Sequence, residues 1–134
     1  MSGNEPAWIT LDEVVAMNEV IVQSTQENHF LRDRNLLGGA LSRPISQFEY
    51  EGMDSVVDLA AHLALAIGKA HAFEQGNKRT AWAAAQLFIR NNGYDLQLDD
   101  GIQHIIAVVI EQMVGEDVDI KHLIYFINET IRVG

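Results

Sequence analysis

The chain has 134 residues, 48% of them apolar, no cysteine, and a formal net charge of −10 from 19 acids against nine lysines and arginines. That length supports one domain with one core, about two-thirds of the unfolded surface being buried at this size; the apolar content excludes a disordered chain, and the missing thiols exclude a disulfide scaffold or a thiolate metal site. No apolar run reaches the roughly 18 residues of a membrane span, the start carries no signal-peptide pattern, and the acidic surface repels nucleic acid, so the expectation is one cytoplasmic domain over residues 1–134 with no membrane and no direct nucleic-acid contact.

Residues 1–8 read as a polar, flexible N-terminal arm, with Trp8 and Ile9 apolar enough to pack back onto the body. Thr10, Leu11, Asp12 and Glu13 form a capping box, and Val14, Val15, Met17, Ile21 and Val22 then share one helical face to about Gln26. After a loop from Asn28 to Asp33, Leu36, Leu37, Ala40 and Leu41 support a short helix that Pro44 ends. Ser46 to Gly52 alternates weakly and reads as an extended flap; a single strand has no partner to make a sheet.

Asp54 to Ala70 is apolar on nearly every side and reads as the core helix, with a second helix from Asn77 to Asn92 beside it and Gly93 as its stop. Tyr94 to Leu98 alternates as a short extended piece. Asp99 or Asp100 caps a helix carrying Ile102, Ile105, Ile106, Val109, Ile110 and Met113, which Gly115 breaks. Asp117 or Asp119 opens the last one, with Ile120, Leu123, Ile124, Ile127 and Ile131 in helical register. The fold class is therefore all-α: a compact bundle of about six helices with a short extended flap.

The chemistry concentrates between the two central helices, in His71-Ala-Phe-Glu-Gln-Gly-Asn-Lys-Arg79. A helix start offers free backbone N–H groups and the positive end of a dipole, which favour an anion such as phosphate. Lys78 and Arg79 oppose that dipole, so helix stability does not account for them, whereas an anionic ligand does. Asn77, Lys78 and Arg79 thus read as a phosphate cradle or as a solvated, salt-bridged helix start. Gly76 permits a backbone geometry that a side chain would block, and Phe73 wedges the loop into the core. An imidazole, with a pKa of about 6.5, can take a proton from a hydroxyl at neutral pH, so His71 is either a general base or a structural histidine on its residues alone. His29, His62, His104 and His122 show no ligand spacing and read as structural or surface residues.

This stretch resembles the signature of the Fic/Doc family, H-x-F-x-[D/E]-G-N-[G/K]-R. His71, Phe73, Gly76, Asn77 and Arg79 match it, Lys78 matches the death-on-curing (Doc) branch, and Thr80, Ala81 and Trp82 continue in the Doc manner. Gln75 stands where the family carries a metal-binding acid. The segment from Arg32 to Pro44 looks like the Doc segment before the flap, and Leu87 to Gly93 looks like the helix after the motif, so the resemblance extends over about residues 11–134.

The resemblance implies a toxin of a toxin–antitoxin pair that moves a phosphoryl group from ATP to a hydroxyl of a translation protein, elongation factor Tu-like. His71 would be the base, with Gly76, Asn77, Lys78 and Arg79 at the nucleotide phosphates. Magnesium would be held by Gln75 or by Glu74, or be absent, and Glu49, Tyr50 and Glu51 would lie in the flap that lines the target. A small antitoxin would block the site. Two alternatives stay open: an AMP transferase of the Fic kind, and a binding module that keeps the fold without the reaction.

Overall fold

The computed structural model describes residues 5–134, and the first half of the expected N-terminal arm, residues 1–4, lies outside the described residues. Six helices and one two-stranded antiparallel ribbon follow in order: α1 (Leu11–Ser24), α2 (Arg34–Glu51), α3 (Val56–Ala70), α4 (Asn77–Asn91), β1 (Tyr94–Leu96), α5 (Asp100–Glu116), α6 (Lys121–Thr130) and β2 (Ile131–Val133). The all-α bundle of six helices is what the apolar periodicity predicts.

Helix α3 lies at the centre, packed against α2, α4, α5 and α6, while α1 packs on α4. Small residues permit that density. Ala60, Ala61 and Ala64 of α3 and Ala81, Ala84 and Ala85 of α4 are all buried. At Gly68 an added Cβ would stand 2.5 Å from Val114 Cγ2 and 3.9 Å from Ala81 Cβ, so α3, α4 and α5 converge there on a residue with no side chain. The N-termini follow the capping rules: Thr10 and Glu13 form the reciprocal capping box of α1, and Asp33, Ser55 and Asp99 accept from the first turns of α2, α3 and α5.

Four sequence expectations are corrected. Pro44 does not end α2, and the segment read as an extended flap, Ser46–Gly52, is helix to Glu51 with Gly52 as its left-handed cap (φ 71°). The buried positions Leu37, Ala40, Leu41, Pro44 and Gln47 keep helical spacing straight through the proline, and their packing on α3 outweighs the roughly 3 kcal/mol of an interior proline. Gly115 does not break α5, which continues to Glu116 and stops at Asp117 in the left-handed region (φ 54°), paired to Lys69. Ile131 belongs to β2: α6 ends at Thr130, whose hydroxyl donates to the carbonyl oxygens of Phe126 and Ile127, both at 3.0 Å. Strand β2 then pairs Ile131 with Leu96 and Val133 with Tyr94, which gives the extended piece after α4 its partner.

The described half of the N-terminal arm, residues 5–8, lies on the body. Pro6 is buried, and Ala7 exchanges two hydrogen bonds with the Asn92 side chain, N–H to Oδ1 at 2.8 Å and Nδ2 to the carbonyl oxygen at 3.1 Å. Trp8 stacks on Phe88 and meets Phe48 edge-on, with ring centroids at 5.7 and 5.8 Å. Removing an indole from such a site leaves two aromatic faces without a partner. Trp8→Ala is therefore expected to destabilise the protein by about 2–4 kcal/mol, read as a lower urea midpoint at unchanged slope; an unchanged midpoint would show that the segment is not part of the cooperative fold.

Candidate active site

Helices α3 and α4 are joined by the six residues from His71 to Gly76. Phe73 is fully buried, so the loop backbone is drawn into the core and its polar groups need partners. The preceding loop supplies them by running antiparallel to it, with Leu31 bridged to Phe73. The Arg32 N–H donates to the Ala72 carbonyl oxygen at 2.7 Å, and the Glu74 N–H to the Phe30 carbonyl oxygen at 2.9 Å. The Arg32 guanidinium donates to the carbonyl oxygens of His71 and Phe73, at 3.2 and 3.3 Å. The Asn77 side chain closes the loop on itself: its Oδ1 accepts from the Phe73 N–H at 3.0 Å and its Nδ2 donates to the Phe73 carbonyl oxygen at 2.8 Å.

His71 terminates α3 in the left-handed region, φ 49° and ψ 41°. A non-glycine residue held there stores about 1–3 kcal/mol of strain, retained because Arg32 and the buried Phe73 fix both sides of it. Gly76 caps α4 at φ 76°, and this helix receives no side-chain cap hydrogen bond and no acid in its first turn. Its exposed amide end thus meets Lys78 and Arg79.

Between this end and α5 lies a cavity of about 440 Å³, lined by His71, by Glu74 through Arg79, and by Trp82, Ala107, Ile110 and Glu111. The structure therefore gathers His71, Glu74, Gln75, Gly76, Asn77, Lys78 and Arg79 around one space, with Phe73 beneath as the anchor. It does not bring Glu49, Tyr50 and Glu51 there. They form the last turn of α2, and none of them lines the cavity.

The two cations differ. Lys78 has no ion-pair partner among the described residues. Arg79 donates from one terminal nitrogen to Glu27 Oε1 at 2.6 Å and from the other to Thr25 Oγ1 at 3.2 Å. The Thr25 hydroxyl also bonds Glu27, and this bond and the guanidinium hold the Glu27 carboxyl below the usual carboxylate range. The salt-bridged reading of Arg79 is thus the one its contacts show. For magnesium the protein offers the Glu74 carboxylate and the Gln75 amide oxygen, both at the cavity; among the described residues no three His, Cys, Asp or Glu side chains cluster as a ready-made metal site.

Sequence reasoning missed the α5 wall. Ala107, Ile110 and Glu111 face the cavity, and the Trp82 indole N–H donates to Gln103 Oε1 of the same helix at 2.9 Å. The sequence showed an apolar set of Ile102, Ile105, Ile106, Val109, Ile110 and Met113, of which Ile106, Val109, Ile110 and Met113 are buried; which neighbour that face meets was not legible. Asn18, Glu27 and His29 carry no motif either, and reach the site through tertiary packing.

A family model described as the Fic/DOC family matches residues 8–89, more than half of the chain. A curated protein of Mycolicibacterium smegmatis named Toxin Doc is 43% identical over 72 residues, which cover 52% of this chain and 54% of the relative. The chain thus spans about half the length of that relative in the matched region. With the motif loop, its flanking helices and the matched span all in agreement, the chain belongs to the Fic/DOC family.

Proposed function

We propose that this protein is a Doc-like toxin of a toxin–antitoxin pair, which transfers the terminal phosphoryl group of ATP to a hydroxyl of a translation protein such as elongation factor Tu. The observation that carries this reading is the cavity at the start of α4, lined by both His71 and Lys78, the latter with no ion-pair partner among the described residues. The similarity to a protein named Toxin Doc supports the biological setting. A small antitoxin that covers the cavity is the implied partner, and a cytoplasmic location follows from such a target.

In this reading the phosphates lie over the first turn of α4, where backbone N–H groups and the Lys78 ammonium offset their charge. Arg79 exchanges Glu27 for phosphate oxygens. The substrate hydroxyl attacks the terminal phosphorus as its proton passes to the His71 imidazole; the new O–P bond forms, the bond to the bridging oxygen breaks, and ADP leaves. Asn77 keeps its amide on the Phe73 peptide and acts by fixing the loop. The Gln75 amide oxygen would hold a magnesium ion carried in by the nucleotide, with the Glu74 carboxylate as the alternative ligand; the ion needs only one or two protein oxygens and would neutralise phosphate charge. An AMP transferase would use the same residues, and the added mass on the target, phosphate or AMP, separates the two. The binding-module reading draws on the Glu27 pairing of Arg79 and on Gln75 in place of an acid; it requires neither His71 nor ATP.

Three outcomes test the proposal. His71→Ala is expected to lower transfer of label from γ-labelled ATP to purified elongation factor Tu by about 10²–10⁴-fold, and to relieve growth arrest at equal protein level. Undiminished arrest by that variant would sink the catalytic role. Arg79→Ala is expected to weaken ATP binding about tenfold by titration calorimetry, the low end for a charge-assisted bond because the side chain is 44% exposed and already paired. An unchanged affinity returns Arg79 to a purely structural role. Gln75→Asp is expected to lower the magnesium concentration at which ATP binds, with Glu74→Ala nearly silent in the same titration. The reverse pattern assigns the ion to Glu74.

A further inference from the structure

Asn18 lies on α1, outside the motif, and is completely buried. Its Nδ2 donates to the Gln75 carbonyl oxygen at 2.8 Å and to Thr80 Oγ1 at 3.0 Å, while its Oδ1 meets His29 Nδ1 at 2.8 Å. The orientation of this amide is forced. A carbonyl oxygen only accepts, so the nitrogen must face Gln75; the oxygen then faces His29, whose Nδ1 must carry the proton. Thr80 is itself fully buried, and its N–H donates to the Gly76 carbonyl oxygen at 2.9 Å. One side chain therefore grips α4 at its first turn and the peptide just before it.

That peptide is the informative one. Among the described residues no peptide bond is cis, so the C=O of Gln75 and the N–H of Gly76 point in opposite directions. With the carbonyl held inward on Asn18, the Gly76 N–H is turned outward, and Gly76 lines the cavity. Among the described residues this N–H meets no protein acceptor. Close packing enforces the arrangement: a Cβ at Gly76 would stand 3.3 Å from Asn18 Nδ2 and 3.0 Å from Val22 Cγ1.

We infer that Asn18 is a positioning residue of the active site: by holding the Gln75 carbonyl inward, it aims the Gly76 N–H at the anionic group bound in the cavity. His29 fixes the amide from behind. The inference rests on the functional reading above, because it needs an anion in that cavity, and it adds a controlling residue, Asn18, that the motif does not contain.

The test is a titration of ¹⁵N-labelled full-length protein with inorganic phosphate and with ATP, following the amide signals of residues 76–79. In the wild type the Gly76 amide proton is expected to move downfield together with that of Lys78. In Asn18→Asp the carboxylate cannot donate to Gln75, so the Gly76 response is expected to vanish while Lys78 still responds, with ATP bound about tenfold more weakly. A wild type in which Lys78 and Arg79 respond and Gly76 does not overturns the inference and leaves the functional reading standing. That arm needs no variant, so it holds even where Asn18→Asp fails to fold. A folded Asn18→Asp with a wild-type Gly76 response overturns the part given to Asn18. No response at any of the four residues in the wild type removes the anion site, and both readings fall together.

Discussion

The burial of Phe73 is the constraint from which the site follows. A loop whose side chain is driven to full burial takes its backbone polar groups with it, and each unpaired group would cost about 1–3 kcal/mol. The molecule answers with four different devices. Asn77 bonds both ends of the Phe73 residue, the Phe30–Asp33 strip pairs edge to edge with Ala72–Glu74, Arg32 covers two carbonyl oxygens, and Asn18 takes the Gln75 carbonyl. These bonds leave His71, Lys78 and Arg79 on the wet side of the loop, where they can act. The scaffold's polar interactions and the site's chemistry are thus two sides of one six-residue connection.

Electrostatics divides the same way. The chain is strongly acidic overall, yet the first turn of α4 holds two cations and no acid. A cationic first turn works against its own helix dipole. Arg79 is stabilised in the empty site by Glu27 and Thr25, which come from the end of α1 and the turn after it, so the guanidinium is held in place without a ligand. Lys78 carries its charge without a partner among the described residues. The two cations are therefore held differently: one is fixed against a carboxylate and a hydroxyl, the other is left to solvent.

The errors in reading the sequence share a cause. Pro44 and Gly115 are strong local punctuation, and both were outvoted by packing: Leu37, Leu41 and Gln47 bury on one side of α2, and Met113 buries on α5 beside the glycine. A local penalty of about 1–3 kcal/mol is smaller than the burial of several side chains. Ile131 erred in the other direction. Its position fits the helical register of α6, but Thr130 turns its hydroxyl back on the helix and the next three residues find a partner in Tyr94–Leu96, nearly forty residues earlier.

What the sequence determined by itself is what local chemistry controls: the six helical segments, through apolar spacing and the caps at Thr10 and Asp99, and the clustering of His71, Gly76, Asn77, Lys78 and Arg79, which adjacency along the chain makes unavoidable. The tertiary structure alone decided what faces that cluster. Asn18, Glu27 and Arg32 lie 39 to 62 residues upstream of their partners at the loop and α4, and the α5 wall lies about 30 downstream of the loop. A polar side chain carries no mark of its partner, because a hydrogen bond depends on where two backbones meet in space, and that is set by how the buried faces of α1, α3, α4 and α5 pack together.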